Sequence, residues 1–238
     1  LALPLTRPSA AEAATGAAGL SYDYIMSAPL AVAAEDENVY VLDESGEVSS
    51  LADGAVGKFT GETFTPGGAA SADKLAAFGG AVYLYGSDVV AVTSGSAGIY
   101  EIAENGVALR TDAESSSPLS VGLTGNAVTA AADGDALYIV TESGGRYSLI
   151  KWSDGNTETI AVELPADGNV TASAVLDGVF YYATDYTLYS LEQPDGCDTR
   201  GGIISMAASG GKLLFTTRSG RVHSYDGSVT ETVLGKSG

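Results

Sequence analysis

Apolar residues along this chain fall in short runs broken by Gly, Asp and Asn, and nowhere hold a sustained helical spacing. Five segments share one order. A run of small apolar residues is followed by a turn, a strand rich in β-branched and aromatic residues, a second turn, and another alternating strand. The first reads Leu30-Ala31-Val32-Ala33, Asn38-Val39-Tyr40-Val41-Leu42 and Gly46-Glu47-Val48-Ser49-Ser50-Leu51. The others begin Leu75-Ala76-Ala77-Phe78, Val128-Thr129-Ala130-Ala131, Val170-Thr171-Ala172-Ser173-Ala174-Val175 and Ile203-Ile204-Ser205-Met206-Ala207. In the second segment, Ala81 to Tyr85 reads as the second strand, Ile99 to Ile102 as the third and Val107 to Arg110 as the fourth. Lys58 to Phe64, Thr157 to Val162 and Val229 to Leu234 read as fourth strands of other segments.

Tyr40, Tyr83, Tyr138, Tyr181 and Leu214 occupy equivalent points, at spacings of 43, 55, 43 and 33 residues. These bracket the period of roughly 40–50 residues typical of propeller blades. Small residues gather in the first strand of each unit, among them Ala31, Ala33, Ala76, Ala77, Ala130, Ala131, Ala172, Ala174, Ala207 and Ala208. That is the strand which would line a crowded axis. The bulky aromatics fall in the next two strands, where sheet faces would meet. The pattern therefore predicts an all-β chain: a five-bladed β-propeller with four-stranded antiparallel blades, the four equivalent tyrosines buried between blades.

Asp177-Gly178-Val179-Phe180-Tyr181-Tyr182, with Thr187-Leu188-Tyr189-Ser190-Leu191 and Asp195-Gly196, resembles the blade repeat of bacterial extracytoplasmic propellers of the PQQ-like kind. Asp133-Gly134 to Asp154-Gly155 and Gly210 to Gly227 are similar. The resemblance covers most of residues 30–234 and implies a blade rather than an activity. The family's recurrent Trp near each blade end is missing, since Trp152 is the chain's only tryptophan. No quinone or other cofactor is therefore expected.

The chain has 238 residues, a net charge of −19, one cysteine and one histidine. The charge disfavours nucleic acid. A single Cys197 excludes an internal disulfide, and a single His223 excludes a multi-histidine metal centre. Residues 1–19, rich in Ala, Gly, Ser and Pro from Thr6 onward, read as a flexible arm, and residues 20–238 as the propeller domain. Residues 20–25 alternate and are expected to pair beside the C-terminal strand and close the ring. The Lys-poor, Cys-poor composition suggests an exported protein on the cell-envelope side, with an upstream anchor left open.

Candidate chemistry is sparse. Seven Asp-Gly pairs begin at Asp53, Asp133, Asp154, Asp167, Asp177, Asp195 and Asp226, and they suit tight turns. Asp36, Glu37, Asp43 and Glu44 are the weak candidates for a cation site, against the plainer reading of a solvated acidic rim. His223 cannot form a triad with its neighbours Ser224 and Asp226, because adjacent strand residues point to opposite faces. Cys197 lies between acids, which raise a thiol pKa. The first strands carry no pair of carboxylates for acid–base work; Asp73 stands alone at the edge of one.

Charge is unevenly spread: residues 199–238 carry a net +3 and residues 1–198 a net −22. Arg200, Lys212, Arg218 and Arg221, together with Leu1, Leu3 and Leu5 of the arm, are the expected docking surface for an acidic, membrane-borne protein partner. The expected function is a non-catalytic interaction module outside the cytoplasm, for instance an accessory subunit on the outer face of a respiratory or other membrane complex. The alternatives are a carbohydrate-active enzyme with residues on a long loop from Glu104 to Gly125, or a ligand sensor using the axial pocket.

Overall fold

A computed structural model describes residues 27–235, apart from 53–54, 69–70, 105, 194, 200 and 228–229. Six sheets, antiparallel but for one parallel pair, follow one another along the chain. Blade 1 holds β1 (Pro29–Glu35), β2 (Asn38–Asp43), β3 (Val48–Ala52) and β4 (Ala55–Lys58). Blade 2 has three strands, β5 (Thr63–Phe64), β6 (Lys74–Phe78) and β7 (Ala81–Tyr85), with β5 parallel to β7. Blade 3 holds β8 (Ala91–Gly95), β9 (Gly98–Ala103), β10 (Gly106–Arg110) and β11 (Ser116–Leu119). Blade 4 holds β12 (Asn126–Asp133), β13 (Ala136–Ser143), β14 (Arg146–Ser153) and β15 (Asn156–Ala161). Blade 5 holds β16 (Ala172–Leu176), β17 (Val179–Ala183), β18 (Thr187–Ser190) and β19 (Cys197–Asp198). Blade 6 holds β20 (Ile203–Ser209), β21 (Lys212–Thr217), β22 (Arg221–Tyr225) and β23 (Thr230–Gly235).

The propeller therefore has six blades, not the five expected from the repeat. The 55-residue gap between Tyr83 and Tyr138 conceals a unit. Ile99–Ile102 and Val107–Arg110 are not the third and fourth strands of the second blade. They belong to the second and third strands of blade 3, whose inner strand is β8. Phe64 likewise leaves the first blade and lies against Tyr83 of blade 2, ring centroids 5.3 Å apart. The Glu104–Gly125 stretch, expected as one long loop, contains β10 and β11.

Register makes the repeat plain. The third residue of each second strand is Tyr40, Tyr83, Tyr100, Tyr138, Tyr181 and Leu214. They stand opposite Ala33, Ala76, Thr93, Ala131, Ala174 and Ala207 of the inner strands. Each reaches toward the following blade. Tyr40 packs with Leu75 and Ala77, Tyr83 with Ile99, Tyr100 with Leu137 and Trp152, and Tyr138 with Phe180. Tyr181 meets Tyr225 edge-on, and Leu214 closes the circle on Val32, Val39 and Val41 of blade 1. Of the four tyrosines expected to be buried between blades, Tyr40 and Tyr83 are buried and Tyr138 and Tyr181 only half-buried; Tyr100, in the blade not foreseen, is buried too.

The described strands of blade 6 are all C-terminal, and the described ring closes by packing and hydrogen bonds between blades 6 and 1. The expected closing strand at residues 20–25 and the arm at residues 1–19 lie outside the described residues. The tight turns are where the sequence puts them: Asp154 and Asp177 take positive φ of 51°, each followed by a positive-φ glycine.

Candidate functional site

Each inner strand is the axial edge of its sheet, so one row of its backbone groups has no ladder partner. Short side chains from neighbouring blades meet part of that need. The Glu35 carboxylate accepts from the N–H groups of Gly79 and Gly80, joining blades 1 and 2. Ala77 N–H donates to Ser94 Oγ at 3.3 Å, and Ala132 N–H to Thr93 Oγ1 at 3.1 Å. Thr129 and Ser173 hydroxyls lie 3.1 Å apart across blades 4 and 5. Thr171 donates to the Ile203 carbonyl at 2.7 Å. Val32 N–H donates to Ser205 Oγ at 3.2 Å and Thr216 to the Leu30 carbonyl at 3.0 Å, tying blade 6 to blade 1. Every blade junction is thus pinned by a hydroxyl or carboxylate near the axis. These bonds also explain why the inner strands mix Ser and Thr with Ala.

Two cavities open along the axis, one from each face. At the face where the inner strands begin, a cup of about 320 Å³ is lined by residues of all six inner strands or the positions just before them. Leu30, Val90, Val128 and Ile204 stand near its mouth, Ala91, Ala130 and Ala172 below them. The opposite cavity measures about 120 Å³ and is walled mostly by alanines such as Ala33, Ala76, Ala131, Ala174 and Ala207. Both touch Val32, Leu75, Val92, Ser173 and Met206, which form the waist between them. The cup sits at the low end of small-ligand pockets, roughly 300–1,000 Å³.

Asp73 is the carboxylate among the described residues lining the cup, and it pairs with Lys74 Nζ at 2.8 Å. Lys74 also donates to the Gly86 carbonyl at 3.3 Å. No second carboxylate faces Asp73 from the described lining. The inside of the cup is therefore uncharged, apart from this pair at its rim.

The acidic quartet is not brought together. Asp36 and Glu37 lie in the β1–β2 turn, while Asp43 ends β2 and Glu44 follows it, at the opposite face of the disc. Asp43 is buried and caps its own turn, accepting from Ser45 N–H at 2.9 Å and Glu47 N–H at 3.1 Å. Among the described residues no group of three or more His, Cys, Asp or Glu is arranged to hold a metal ion.

The basic surface residues divide between the faces. Arg218 and Arg221 flank the β21–β22 turn at the cup face; Lys212 begins β21 at the other face. Arg218, itself mostly exposed, pairs at 2.8 Å with the largely enclosed Asp185 of blade 5. Arg146, at the start of β14, also stands at the cup face. Arg200, Leu1, Leu3 and Leu5 lie outside the described residues.

His223 is half-buried and stacked on Phe215, centroids 5.4 Å apart. Burial first, then the Arg221 charge, pulls its pKa below the ordinary value. The Cys197 thiol is pushed up, mainly by burial and secondarily by Asp198.

One cluster was invisible in the sequence. Arg110 Nε meets Glu101 Oε1 at 2.5 Å with both side chains nearly enclosed, and Ser116 donates to Glu101 at 2.8 Å. Burial opposes the Arg110 charge, but the Glu101 carboxylate more than offsets it and raises its pKa. The buried Tyr85 hydroxyl is raised by burial and then by Glu101. Consecutive antiparallel pairing of β9, β10 and β11 brings Glu101, Arg110 and Ser116 together, and Tyr85 joins them from β7 of blade 2.

No family model and no curated protein matches this chain. Solved structures with the same fold do. The tricorn protease is similar at 11% identity and a TM-score of 0.60, over 88% of this chain and 26% of its own. The extracellular domain of a putative hybrid two-component system from B. thetaiotaomicron matches at 15% identity and 0.53, over 89% and 34%. PorZ, a surface component of the type IX secretion system of Porphyromonas gingivalis, matches at 13% and 0.50, over 82% and 30%. The chain spans about a third or less of each of these proteins. The likeness shows the β-propeller fold; it does not show a PQQ-like repeat.

Proposed function

We propose that this chain is a non-catalytic binding module working outside the cytoplasm, and that it docks through the face carrying the axial cup. The observation that carries the reading is the cup's make-up: hydroxyls, aliphatic side chains and one internally neutralised Asp73–Lys74 pair, with no acid–base couple in the described lining. Such a wall binds and does not transfer protons. The extracellular setting is supported by two bacterial neighbours, the extracellular domain of a two-component system and a surface component of a secretion system. No described helix is long and apolar enough to cross a membrane.

The partner is an acidic protein, and an accessory role on an outer-face membrane complex is the concrete form of the reading. Arg146 and Arg221 supply the attraction at the cup face, where Arg218 is paired with Asp185, while Lys212 stands at the other. Exposed charges contribute about 0–1 kcal/mol each, so they steer and orient more than they hold. The test is affinity capture from detergent-solubilised cell envelopes, with mass spectrometry. The partner retained by the wild-type chain is expected to be lost with Arg218→Glu plus Arg221→Glu and kept with Lys212→Glu, all three melting alike. Equal retention by both variants, or no retained protein, overturns the reading.

A further inference from the structure

We propose that the axial cup takes a small, uncharged molecule with a compact aliphatic body and one hydrogen-bond acceptor, and that the Thr129–Ser173 hydroxyl pair reads the acceptor. This deepens the binding reading above and rests on it. Thr129 and Ser173 are only 6% and 5% exposed, and both line the cup. Their oxygens lie 3.1 Å apart, and either can be the donor. One hydroxyl hydrogen makes that bond. The other has no acceptor among the described residues, and a buried donor left unused costs about 1–3 kcal/mol. A ligand carbonyl, ether or hydroxyl oxygen entering the cup would accept it.

The other wall hydroxyls are already committed. Thr171 donates to Ile203, and Ser205 accepts from Val32 N–H and donates to the Val32 carbonyl at 3.4 Å. The rest of the wall sets the ligand's body. Leu30, Val90, Val128, Ile204 and Met206 are aliphatic or thioether groups, and no aromatic side chain is among the described residues lining the cup. Carbohydrates are usually bound against an aromatic plate and several polar forks, so a sugar does not fit this wall. Charge is excluded on two counts. A carboxylate or ammonium brought inside would lose its hydration with no free counter-ion, because Lys74 and Asp73 already neutralise each other at the rim. Val32, Leu75, Val92, Ser173 and Met206 form the cup's inner end, where it adjoins the smaller cavity.

Met206 gives the experiment a built-in reporter, since the chain has only one other methionine, Met26. The full chain, labelled with methyl-¹³C methionine, is titrated separately with cyclohexanone, cyclohexanecarboxylate and cyclohexylamine while the methyl resonances are followed. Cyclohexanone is expected to shift the Met206 methyl saturably, with the two ionic probes without effect at equal concentration. Thr129→Val plus Ser173→Ala is expected to weaken the ketone about tenfold, and Ala130→Leu, which fills the cup, to abolish the shift. A Met206 methyl indifferent to cyclohexanone overturns the proposal, as do equal shifts from the ionic probes or an unweakened ketone in the hydroxyl-free variant. The probe contrast uses the wild-type chain, so it stands even if a variant fails to fold. If the envelope partner is still captured in a face-dependent way while the cup ignores the ketone, the ligand class is wrong and the docking reading survives. Loss of the partner result alone leaves the cup result untouched.

Discussion

At the residue scale, the ring is held by what each second-strand tyrosine finds on the next blade. Tyr100 is 1% exposed, packs among Leu137 and Trp152, and donates to the Asp135 carbonyl at 3.3 Å. Tyr138 occupies the same register but is half-buried, with Lys151 Nζ 5.3 Å from its ring centre. Tyr100→Ala is therefore expected to destabilise the chain by about 3–5 kcal/mol, and Tyr138→Ala by clearly less, about 1–3 kcal/mol, in denaturant unfolding. Equal losses would show that register, not enclosure, sets the cost. His223 supplies a pH signature. Its folded pKa is depressed, so the folded state resists protonation more than the unfolded chain does. Stability from this residue is whole above the ordinary histidine pKa near 6.5 and falls as pH drops through that value toward the folded pKa. Carboxylate repulsion relaxes over the same range and works the other way, so the difference between wild type and His223→Gln is the quantity to follow. That difference should shrink as pH falls below about 6.5; a constant difference would refute the assignment.

At the element scale, the turns decide which strands pair. Gly98 opens β9 with φ +147°, and a Cβ there would collide with the Arg110 carbonyl oxygen. That neighbour is backbone and cannot step aside. Gly178 also has positive φ, but faces open space. Gly98→Ala should cost more than about 2 kcal/mol and Gly178→Ala about 1–2 kcal/mol, read from melting curves of the two variants. Similar costs would mean that φ alone matters. Most strands were legible because alternation, β-branched residues and Asp-Gly turns agree locally. Five inner strands fell close to where small apolar residues begin. The sixth, β8, was missed because blade 2 lacks a strand after β7. Its sheet is completed by β5 from earlier in the chain, so the chain passes almost directly into the next blade. Tyr83 and Tyr100 are consequently only 17 residues apart, well short of the blade period. The signal was present in Gly98-Ile99-Tyr100, which repeats the apolar-then-tyrosine order of Val39-Tyr40 and Val82-Tyr83. The candidate site was less legible. The wealth of Ser, Thr and Ala in the inner strands could be read, whereas the extension of β1 to Glu35 and of β12 to Asp133 could not. The pairing of Thr129 with Ser173 and the buried Glu101–Arg110 contact depend on how blades and strands sit beside one another, which local spacing does not encode.

At the scale of the whole molecule, six short sheets share one axis, and the axis is where their unpaired edges meet. Hydroxyls and Glu35 satisfy part of that need and fasten neighbouring blades; what remains open forms the cup. The two faces differ in kind, one with a 320 Å³ opening and the Arg218–Arg221 turn, the other with an alanine-walled opening of about 120 Å³. This asymmetry is what makes a single docking face physically reasonable for a chain with a net charge of −19. The whole picture depends on β8 being a blade strand, because Val90, Ala91 and Val92 complete the cup wall. Amide hydrogen exchange of the full-length chain, resolved by residue, tests this most directly. In the six-bladed ring, the ladder amides joining β8 to β9, around the Ala91–Ile102 and Thr93–Tyr100 pairs, exchange as slowly as those joining β1 to β2 and β12 to β13. Fast, loop-like exchange across residues 91–95, beside slow exchange in the other five inner strands, would contradict it and return the molecule to five blades without this cup.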